Sequence, residues 1–156
     1  MREYEYIKIT PMSHRKDYGQ FFTPKSVSRL MVQWVLRDEP KVVLDPAFGL
    51  GVFYDEVINL VPNNQIQFIG YEIDKKIISF LNDLNNKPNL RLHNSDYLEA
   101  EPREFDAIIC NPPYMRFQKF LNRHNVLPII EKQIGKKLIG YSNIASVFLV
   151  KALNEL

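Results

Sequence analysis

Three apolar residues run directly into a polar turn at Ile108-Ile109-Cys110-Asn111-Pro112-Pro113-Tyr114. A continuously apolar segment is typical of a strand whose two faces are both covered, and the prolines that follow cannot donate to a strand ladder. Asn111 precedes a proline, which holds its backbone extended. Its amide is thus presented at the carboxyl end of the strand, where open α/β sheets bind ligands. The stretch predicts a strand that ends in an active site.

The turn offers hydrogen-bond acceptors beside one aromatic ring. Asn111 contributes a side-chain oxygen, and the prolines leave backbone carbonyls with no competing N–H nearby. Tyr114 adds a flat face for stacking. This combination suits an exocyclic amino group, whose two hydrogens need acceptors and whose ring needs a stacking partner. Taken alone, the motif is also compatible with a plain turn after a buried strand.

Bulk composition describes an ordinary globular domain. The 156 residues are 46% hydrophobic and 24% charged. The net charge is only +2, so the overall charge does not indicate a nucleic-acid partner. The single cysteine, Cys110, excludes an intramolecular disulfide and is expected to be a small core residue. The charged start and the lack of a long apolar run predict a cytoplasmic protein without signal peptide or membrane span. Three scattered histidines, His14, His93 and His124, give no metal-ligand spacing.

A second strand-to-loop junction lies upstream. Residues Lys41 to Asp45 predict a buried strand, which breaks into a loop with Gly49 and Gly51 before a helix that runs through Leu60. Glycines in such a turn let the backbone approach a ligand, and the helix start supplies free N–H groups. The third glycine of the dinucleotide-binding form is missing.

Two further strands end in acidic residues. Ile66 to Tyr71 leads into Glu72, which is placed to accept hydrogen bonds from two ribose hydroxyls. Asp74 is a plausible N-cap for a helix from Lys75 to Leu84. A third strand, Leu90 to His93, precedes Asp96, and Phe105 to Cys110 forms the fourth. This alternation predicts an α/β fold with a doubly wound, mostly parallel sheet.

The amino-terminal region has weaker signals. Residues 1 to 17 alternate weakly and predict an edge strand or arm followed by a loop. A helix should follow, with Thr23 as its N-cap and Pro24 at its first position. Its apolar residues fall on one face, at Val27, Leu30, Met31, Trp34 and Val35.

Together these elements resemble the S-adenosylmethionine-dependent DNA adenine-N6 methyltransferases, in which Asn-Pro-Pro-Tyr is the catalytic motif. The resemblance covers about residues 18 to 156 and lies in the order of five elements. It implies a Rossmann-like class I methyltransferase fold, S-adenosylmethionine as cofactor and DNA as partner, in a restriction-modification setting. It implies catalytic roles for Asn111, Pro112 and Tyr114, and cofactor contacts for Phe21, Thr23, Asp45, Pro46, Gly49, Gly51, Glu72, Ile73, Asp96 and Tyr97.

The resemblance also suggests individual roles. In this family a Phe-x-Thr-Pro element covers the methionine end of the cofactor, Ile73 would pack on its adenine, and Asp96 would accept from its amino group. An acidic Asp45 suits a cofactor that carries a sulfonium. Two departures from the common family pattern fall in the glycine loop: Phe48 where cysteine is frequent, and Leu50 where serine is frequent.

The carboxyl-terminal part is the most basic segment of the chain. Arg116, Lys119 and Arg123 border the predicted catalytic mouth and are candidates for DNA phosphate contacts, although a solvated helix face explains them equally well. Lys132, Lys136 and Lys137 continue the segment, and a helix should run from Tyr141 to Leu156.

Only about four strands are present, so we expect a fragment of a longer polypeptide or one piece of a split enzyme. The motif order matches the family arrangement in which the target-recognition region lies at the carboxyl end.

Two other functions compete with DNA methylation. Related families that share Asn-Pro-Pro-Tyr methylate the N5 of glutamine in proteins or the N2 of guanine in RNA. The Phe-Phe-Thr-Pro element at residues 21 to 24 favours the DNA enzymes. The other alternative is a non-catalytic fragment or subunit that binds cofactor or a partner without turnover.

Overall fold

The computed structural model describes residues 2–61, 65–116, 119–120, 123–135, 137 and 143–156. The described strands are β1 (Val42–Asp45), β2 (Gln67–Tyr71), β3 (Leu90–His93) and β4 (Ala107–Ile108). The helices are α1 (Arg2–Ile9), α2 (Met12–Asp17), α3 (Lys25–Val35), α4 (Val52–Leu60), α5 (Lys75–Phe80), α6 (Arg123–Ile134) and α7 (Ile144–Leu153). Short 3-10 turns cover Leu36–Asp38, Asn82–Leu84 and Tyr97–Glu99. No helix in the described part of the chain is long and apolar enough to cross a membrane.

The four strands form one parallel sheet in the order β3-β2-β1-β4, which confirms the predicted α/β architecture. β4 is shorter than predicted, and it is an end strand of the sheet that the described residues form. Its pairing with β1 is extended by the Ile109 N–H, which donates to the Leu44 carbonyl at 2.9 Å. The residues that follow all four strands therefore meet at one edge of the sheet.

Alternation along β1 divides the core into two layers. Val43 faces one layer, which also contains Phe53, Phe68 and Ile77, whereas Leu44 faces the other. The second layer includes Leu98, Ile130 and Phe148, with Cys110 packed at its margin. Both faces of the sheet are covered by helices or turns, as expected for parallel strands.

Helix α3 exists where predicted, but its buried face was predicted wrongly. Ser28 and Val32 are fully buried, whereas Val27, Leu30 and Trp34 are exposed, the last to 72%. Only Met31 and Val35 of the predicted face pack partly against the core. The helix lies against α4, and the buried Ser28 hydroxyl donates to the Lys25 carbonyl at 2.9 Å. The Thr23 cap was also wrong, because Pro24 occupies the cap position with no side-chain cap bond.

The amino-terminal residues form helices α1 and α2, so the predicted strand and loop were wrong. Tyr6 is the buried residue of α1, and its ring meets the rings of Phe22 and Phe80 edge-on at 5.7 and 5.8 Å. Arg2 lies one turn earlier on the same face and donates to the Leu50 carbonyl at 3.1 Å and the Asp55 carboxylate at 2.7 Å. Tertiary contacts spaced at i and i+4 therefore select the helix over the weak alternation in the sequence.

Helix α7 is held by a buried charged network. It runs from Ile144 with Asn143 as its N-cap; the predicted start at Tyr141 and Ser142 lies outside the described residues. Lys151, 1% exposed, bonds to Glu155 at 2.9 Å and to the Ala100 carbonyl at 2.9 Å. The other Glu155 carboxylate oxygen accepts the hydroxyl of Tyr97. These bonds fix α7 to the turn that follows β3.

Candidate active site

A cavity of about 1190 Å³ opens at the carboxyl edge of the sheet, slightly above the size usual for small-ligand sites, roughly 300–1,000 Å³. Most of the predicted site residues line it, namely Phe21, Thr23, Pro46, Gly49, Glu72, Ile73, Asp96, Tyr97 and Asn111. Four others are not part of its wall: Asp45, Gly51, Pro112 and Tyr114. The structure therefore gathers residues from all four strand ends, together with the segment before α3.

The glycine loop needs its glycines for different reasons. Gly49 and Gly51 have φ of +54° and +78°, a region that residues with side chains rarely adopt. Gly51 caps α4, and a Cβ there would lie 3.0 Å from the Phe48 ring. That ring also covers Gly70 of β2, where an added Cβ would lie 2.4 Å from the Phe48 Cδ2. Phe48 is thus a core residue, and Gly49 is the loop glycine at the cavity wall.

Glu72 is held between the glycine loop and the turn after β2. Its Oε2 accepts the Gly49 N–H at 2.9 Å, and its Oε1 accepts the Asp74 N–H at 2.7 Å. Burial raises the pKa of Glu72 to about 7, against the opposing effect of the two N–H donors. Each carboxylate oxygen can accept a second hydrogen bond. The arrangement presents a fixed acceptor pair to the cavity, as the ribose role requires.

Asp45 lies behind the cavity wall. Its side chain is fully buried, Oδ1 accepts the Ala47 N–H at 3.1 Å, and Oδ2 has no hydrogen-bond partner among the described residues. Burial raises the pKa of Asp45 to about 8, so the carboxyl is largely protonated at neutral pH. Burial also raises the pKa of the nearby Cys110 thiol. The predicted contact between Asp45 and the cofactor stays a prediction.

The turn after β3 provides the third wall. Asp96 is buried, and its Oδ1 accepts the Leu98 N–H at 2.9 Å. The Tyr97 hydroxyl is engaged by Glu155, so Tyr97 offers the cavity its ring rather than a polar group. Ile73 is partly exposed and lines the same space. One carboxylate and apolar surface therefore lie together, a combination suited to a purine.

Sequence reasoning missed a hydrogen-bonding centre at Asp74. Its Oδ1 caps α5 by accepting the Lys76 N–H, as predicted. Its Oδ2 also accepts bonds from Tyr6 at 3.0 Å, His14 at 2.7 Å and Gln20 at 2.6 Å. Burial opposes ionisation, but these bonds outweigh it and hold the pKa of Asp74 below its usual value. The polar i and i+8 pair of Tyr6 and His14 was the available signal, and it was weak.

The catalytic motif is contacted by the segment that precedes α3. The Asn111 Nδ2 donates to the Phe21 carbonyl at 2.7 Å and to the Thr23 hydroxyl at 2.9 Å. The Tyr114 N–H donates to the Gly19 carbonyl at 3.2 Å. The rings of Tyr114 and Phe21, 54% and 64% exposed, meet edge-on at 5.8 Å. Two exposed aromatic rings therefore stand beside the Asn111 amide.

The residues predicted to contact DNA phosphates follow the Asn-Pro-Pro-Tyr motif in the sequence. Arg116 pairs across an isolated bridge with Asn143, and both Arg116 and Lys119 are exposed. The Arg123 Nε lies 3.2 Å from the His124 Nε2. Lys132 and Lys137 are exposed, and Lys136 lies outside the described residues. A DNA role for these cations stays a prediction.

The parallel sheet, the glycine loop after β1, the acidic residue after β2 and the Asn-Pro-Pro-Tyr motif after β4 define a Rossmann-like class I methyltransferase. A family model described as N-6 DNA Methylase matches residues 2–128, and the chain belongs to this family. Membership confirms the resemblance drawn from the motifs, including S-adenosylmethionine as the cofactor expected of the family.

Individual relatives agree with this assignment. The chain is 34% identical over 157 residues to the type II methyltransferase M.AccI of Acinetobacter calcoaceticus, covering 99% of this chain and 28% of the relative. It is 33% identical over 106 residues to M.HincII of Haemophilus influenzae, covering 68% of this chain and 19% of that protein. A type I restriction-modification methyltransferase subunit from Streptococcus thermophilus shares the fold with a TM-score of 0.64 at 19% identity, covering 98% of this chain and 39% of that one. The chain thus spans less than half the length of these relatives.

Proposed function

We propose that this chain carries the cofactor-binding and base-gripping part of a DNA adenine-N6 methyltransferase of the restriction-modification type. The observation that carries the proposal is a single cavity lined at once by Glu72, Asp96 and Asn111. Two carboxylates suit a nucleoside, whereas the Asn-Pro-Pro-Tyr turn suits a second planar ring with an amino group. DNA is the proposed partner, and we place the protein in the cytoplasm. Residues beyond this chain would complete the enzyme and its target recognition.

The nucleoside part of S-adenosylmethionine would lie between Glu72 and Asp96. Glu72 would accept bonds from the ribose hydroxyls, Asp96 would accept from the adenine amino group, and Ile73 would pack on the ring. When bound, this cofactor supplies a methyl group on a positively charged sulfur. Phe21 and Thr23 would cover the methionine end of the cofactor. Asn111, which is hydrogen-bonded to both residues, would then lie next to that end.

The target adenine would enter from the side of Tyr114, flipped out of the duplex because N6 is inaccessible within the stack. The N6 lone pair is delocalised into the ring and is therefore a poor nucleophile. Hydrogen bonds from N6 to the Asn111 Oδ1 and the Pro112 carbonyl would draw the nitrogen toward tetrahedral geometry and stabilise the charge that develops on it. Tyr114 would stack on the base, and the proton would leave after transfer.

The cofactor site is tested by calorimetric titration of this chain with S-adenosylmethionine. We expect binding by the wild type and a loss of affinity in Glu72→Ala and Asp96→Ala. Asp106→Ala is a matched control, because Asp106 accepts backbone N–H groups of Lys41 and Val42 away from the cavity wall. A folded chain that does not bind, or variants that bind as tightly as wild type, would contradict the proposed site.

The substrate is tested by transfer of a labelled methyl group. We expect incorporation into unmethylated duplex DNA and none into DNA that is already N6-methylated at the target. Incorporation into protein or into RNA would instead identify the glutamine or guanine alternative. Cofactor binding without transfer to any of the three would support the non-catalytic reading of the isolated chain.

A further inference from the structure

A five-residue strap, Gly19 to Thr23, lies alongside the catalytic turn. Three hydrogen bonds join the two segments: Tyr114 N–H to the Gly19 carbonyl at 3.2 Å, and the Asn111 Nδ2 to the Phe21 carbonyl at 2.7 Å and to the Thr23 Oγ1 at 2.9 Å. The strap comes from a part of the sequence about 90 residues away from the motif, as the separations of 90 and 88 residues show. The catalytic turn is therefore supported from outside its own strand.

These contacts determine which way the Asn111 amide points. A backbone carbonyl such as that of Phe21 can only accept, so the group that faces it must be the Asn111 NH₂. Both N–H groups of that NH₂ are used, one by Phe21 and one by Thr23. The Oδ1 atom consequently points away from the strap. An amide rotated by 180° would bring the Asn111 Oδ1 against the Phe21 carbonyl oxygen and would lose that hydrogen bond.

Two adjacent residues, Gly19 and Gln20, anchor the amino-terminal end of the strap. The Gln20 side chain donates to the Asp74 carboxylate at 2.6 Å, and Asp74 donates its own N–H to Glu72. Gly19 is buried with φ of +61°, and a Cβ there would lie 3.0 Å from the Tyr114 nitrogen. A residue with a side chain would thus be strained and would push directly on the catalytic turn. The strap is therefore linked to Glu72 through Asp74 and to Asn111 directly.

We propose that Thr23 and Gly19 are positioning residues that hold the Asn111 amide with its oxygen turned toward the substrate. This inference rests on the proposed function of Asn111 as the acceptor for the substrate amino group. Thr23 acts through its hydroxyl, which receives the second N–H of the amide, and Gly19 acts by allowing the backbones to approach. Neither residue needs to touch the reacting atoms.

The geometry is tested without cofactor or substrate by NMR of the Asn111 side-chain NH₂, identified as the pair of signals that Asn111→Ala removes. In Thr23→Val, which keeps the shape and loses the acceptor, we expect one of the two proton signals to shift upfield and to exchange faster with water. Thr23→Ser should restore the wild-type pair. Thr10→Val is the control, because Thr10 is a buried threonine of the arm that makes no hydrogen bond to the motif among the described residues. Unchanged Asn111 signals in Thr23→Val would overturn the proposal.

Methyl transfer to DNA provides the second readout. Measured at saturating S-adenosylmethionine, Thr23→Val should lower kcat by about tenfold, as is typical when a group that orients a directly acting residue is lost, and this loss should exceed any rise in the Kd for the cofactor. Thr23→Ser should keep the wild-type kcat. A Thr23→Val variant that only weakens cofactor binding would show that Thr23 is a wall of the cofactor site, and would overturn the positioning role.

Gly19→Ala provides a variant that is independent of the threonine hydroxyl. We expect it to shift the Tyr114 amide signal and both Asn111 NH₂ signals while distant amides of β2 and β3 keep their positions. Gly135→Ala is its control, since Gly135 also has a positive φ but meets nothing within 4 Å of an added Cβ. Unchanged Tyr114 and Asn111 signals in Gly19→Ala would contradict the positioning role of Gly19. The two proposals can fail separately. If the Asn111 and Tyr114 signals move as expected but the wild type neither binds cofactor nor methylates DNA, the proposed function is wrong and the contact between strap and turn is confirmed.

Discussion

Glu72 and Tyr114 lie at the two ends of the site and could hardly differ more in surroundings. Glu72 is 9% exposed and receives N–H groups from two loops, whereas Tyr114 is 54% exposed and touches another exposed ring, that of Phe21. The proposed nucleoside end (Gly49, Glu72, Asp96) follows strands β1 to β3, and its two carboxylates accept N–H groups from neighbouring turns. The proposed base end (Phe21, Asn111, Tyr114) is formed by the strap, Gly19 to Thr23, and by the turn that follows β4. Substitutions at the base end should therefore slow methyl transfer more than they weaken cofactor binding, whereas substitutions at the nucleoside end should affect stability and cofactor binding first.

The largest effect is expected at the base end. Asn111→Ala removes the acceptor for the amino group and should lower methyl transfer by about 10²–10³, the usual cost of losing one preorganised group that stabilises developing charge. The calorimetric Kd for S-adenosylmethionine should change far less, because the proposed nucleoside contacts of Glu72 and Asp96 follow β2 and β3 rather than β4. A parallel loss of cofactor affinity would show that the two ends are not separable.

At the nucleoside end, the buried carboxyl of Glu72 should make stability depend on pH. The folded-state pKa of about 7 exceeds the ordinary value of 4.5, so the folded protein holds a proton that the unfolded chain releases between those pH values. The contribution of Glu72 to stability is then present below about pH 4.5 and is lost as pH rises through 7. At 1.36 kcal/mol per pKa unit, the loss amounts to about 3 kcal/mol.

Glu72→Gln removes this titration. Urea unfolding at pH 5 and pH 8 should show a smaller decline in the free energy of unfolding for the variant than for wild type. The pKa of Asp45 is also raised, by burial and by the charge of Glu72, so the comparison that isolates Glu72 is between Asp45→Asn and the double variant Asp45→Asn/Glu72→Gln. Equal declines in the two proteins would mean that Glu72 is already ionised in the folded state at pH 5.

Asp74 links the amino-terminal helices to the nucleoside end. Asp74→Asn leaves one oxygen, which cannot accept both the three side-chain bonds and the Lys76 N–H, and should cost about 2 kcal/mol of stability, as expected for charge-assisted hydrogen bonds. Hydrogen exchange should accelerate first in residues 2–17. The control is Asp83→Asn, because Asp83 is an exposed partner of Arg2 and its loss should cost less than about 1 kcal/mol. Equal losses of stability in the two variants would show that Asp74 contributes no more than an exposed carboxylate.

The smallest effect concerns stacking. Tyr114→Ala should weaken apparent DNA affinity by about tenfold, since stacking of one base on an aromatic ring is worth roughly 1–3 kcal/mol. Tyr114→Phe keeps the ring and should behave as wild type, while cofactor affinity stays constant in both. A Tyr114→Phe variant as weak as Tyr114→Ala would assign the role to the hydroxyl.

The nucleoside end could be predicted from sequence because its signals are local. Strand ends, the glycine loop and the Asp74 cap are each specified by residues within a few positions of one another, and β3 was predicted at Leu90–His93 as observed. The termini of β4 and α5 were predicted too long, since periodicity does not report where a ladder or a helix ends.

The base end depends on contacts across about 90 residues, which no local pattern contains. Thr23 matches an N-cap by its spacing, yet its hydroxyl accepts a bond from Asn111. Similarly, Tyr6 reads as part of an alternating strand until its buried position between Phe22 and Phe80 is known. Trp34 belongs to the most apolar face of α3 by pattern, but the face with Ser28 and Val32 is the one that packs inward.

Phe48 and Gly70 have a consequence for how this sequence can change over evolutionary time. The Phe48 ring fills the volume that a side chain at position 70 would need, with only 2.4 Å between Phe48 Cδ2 and an added Cβ. Substitutions at the two positions are therefore not independent: alanine at 70 is expected to be harmful beside Phe48 and tolerated beside the smaller cysteine that the family often carries in the loop. A smaller residue at position 48 should therefore have to appear before alanine at position 70 can be retained.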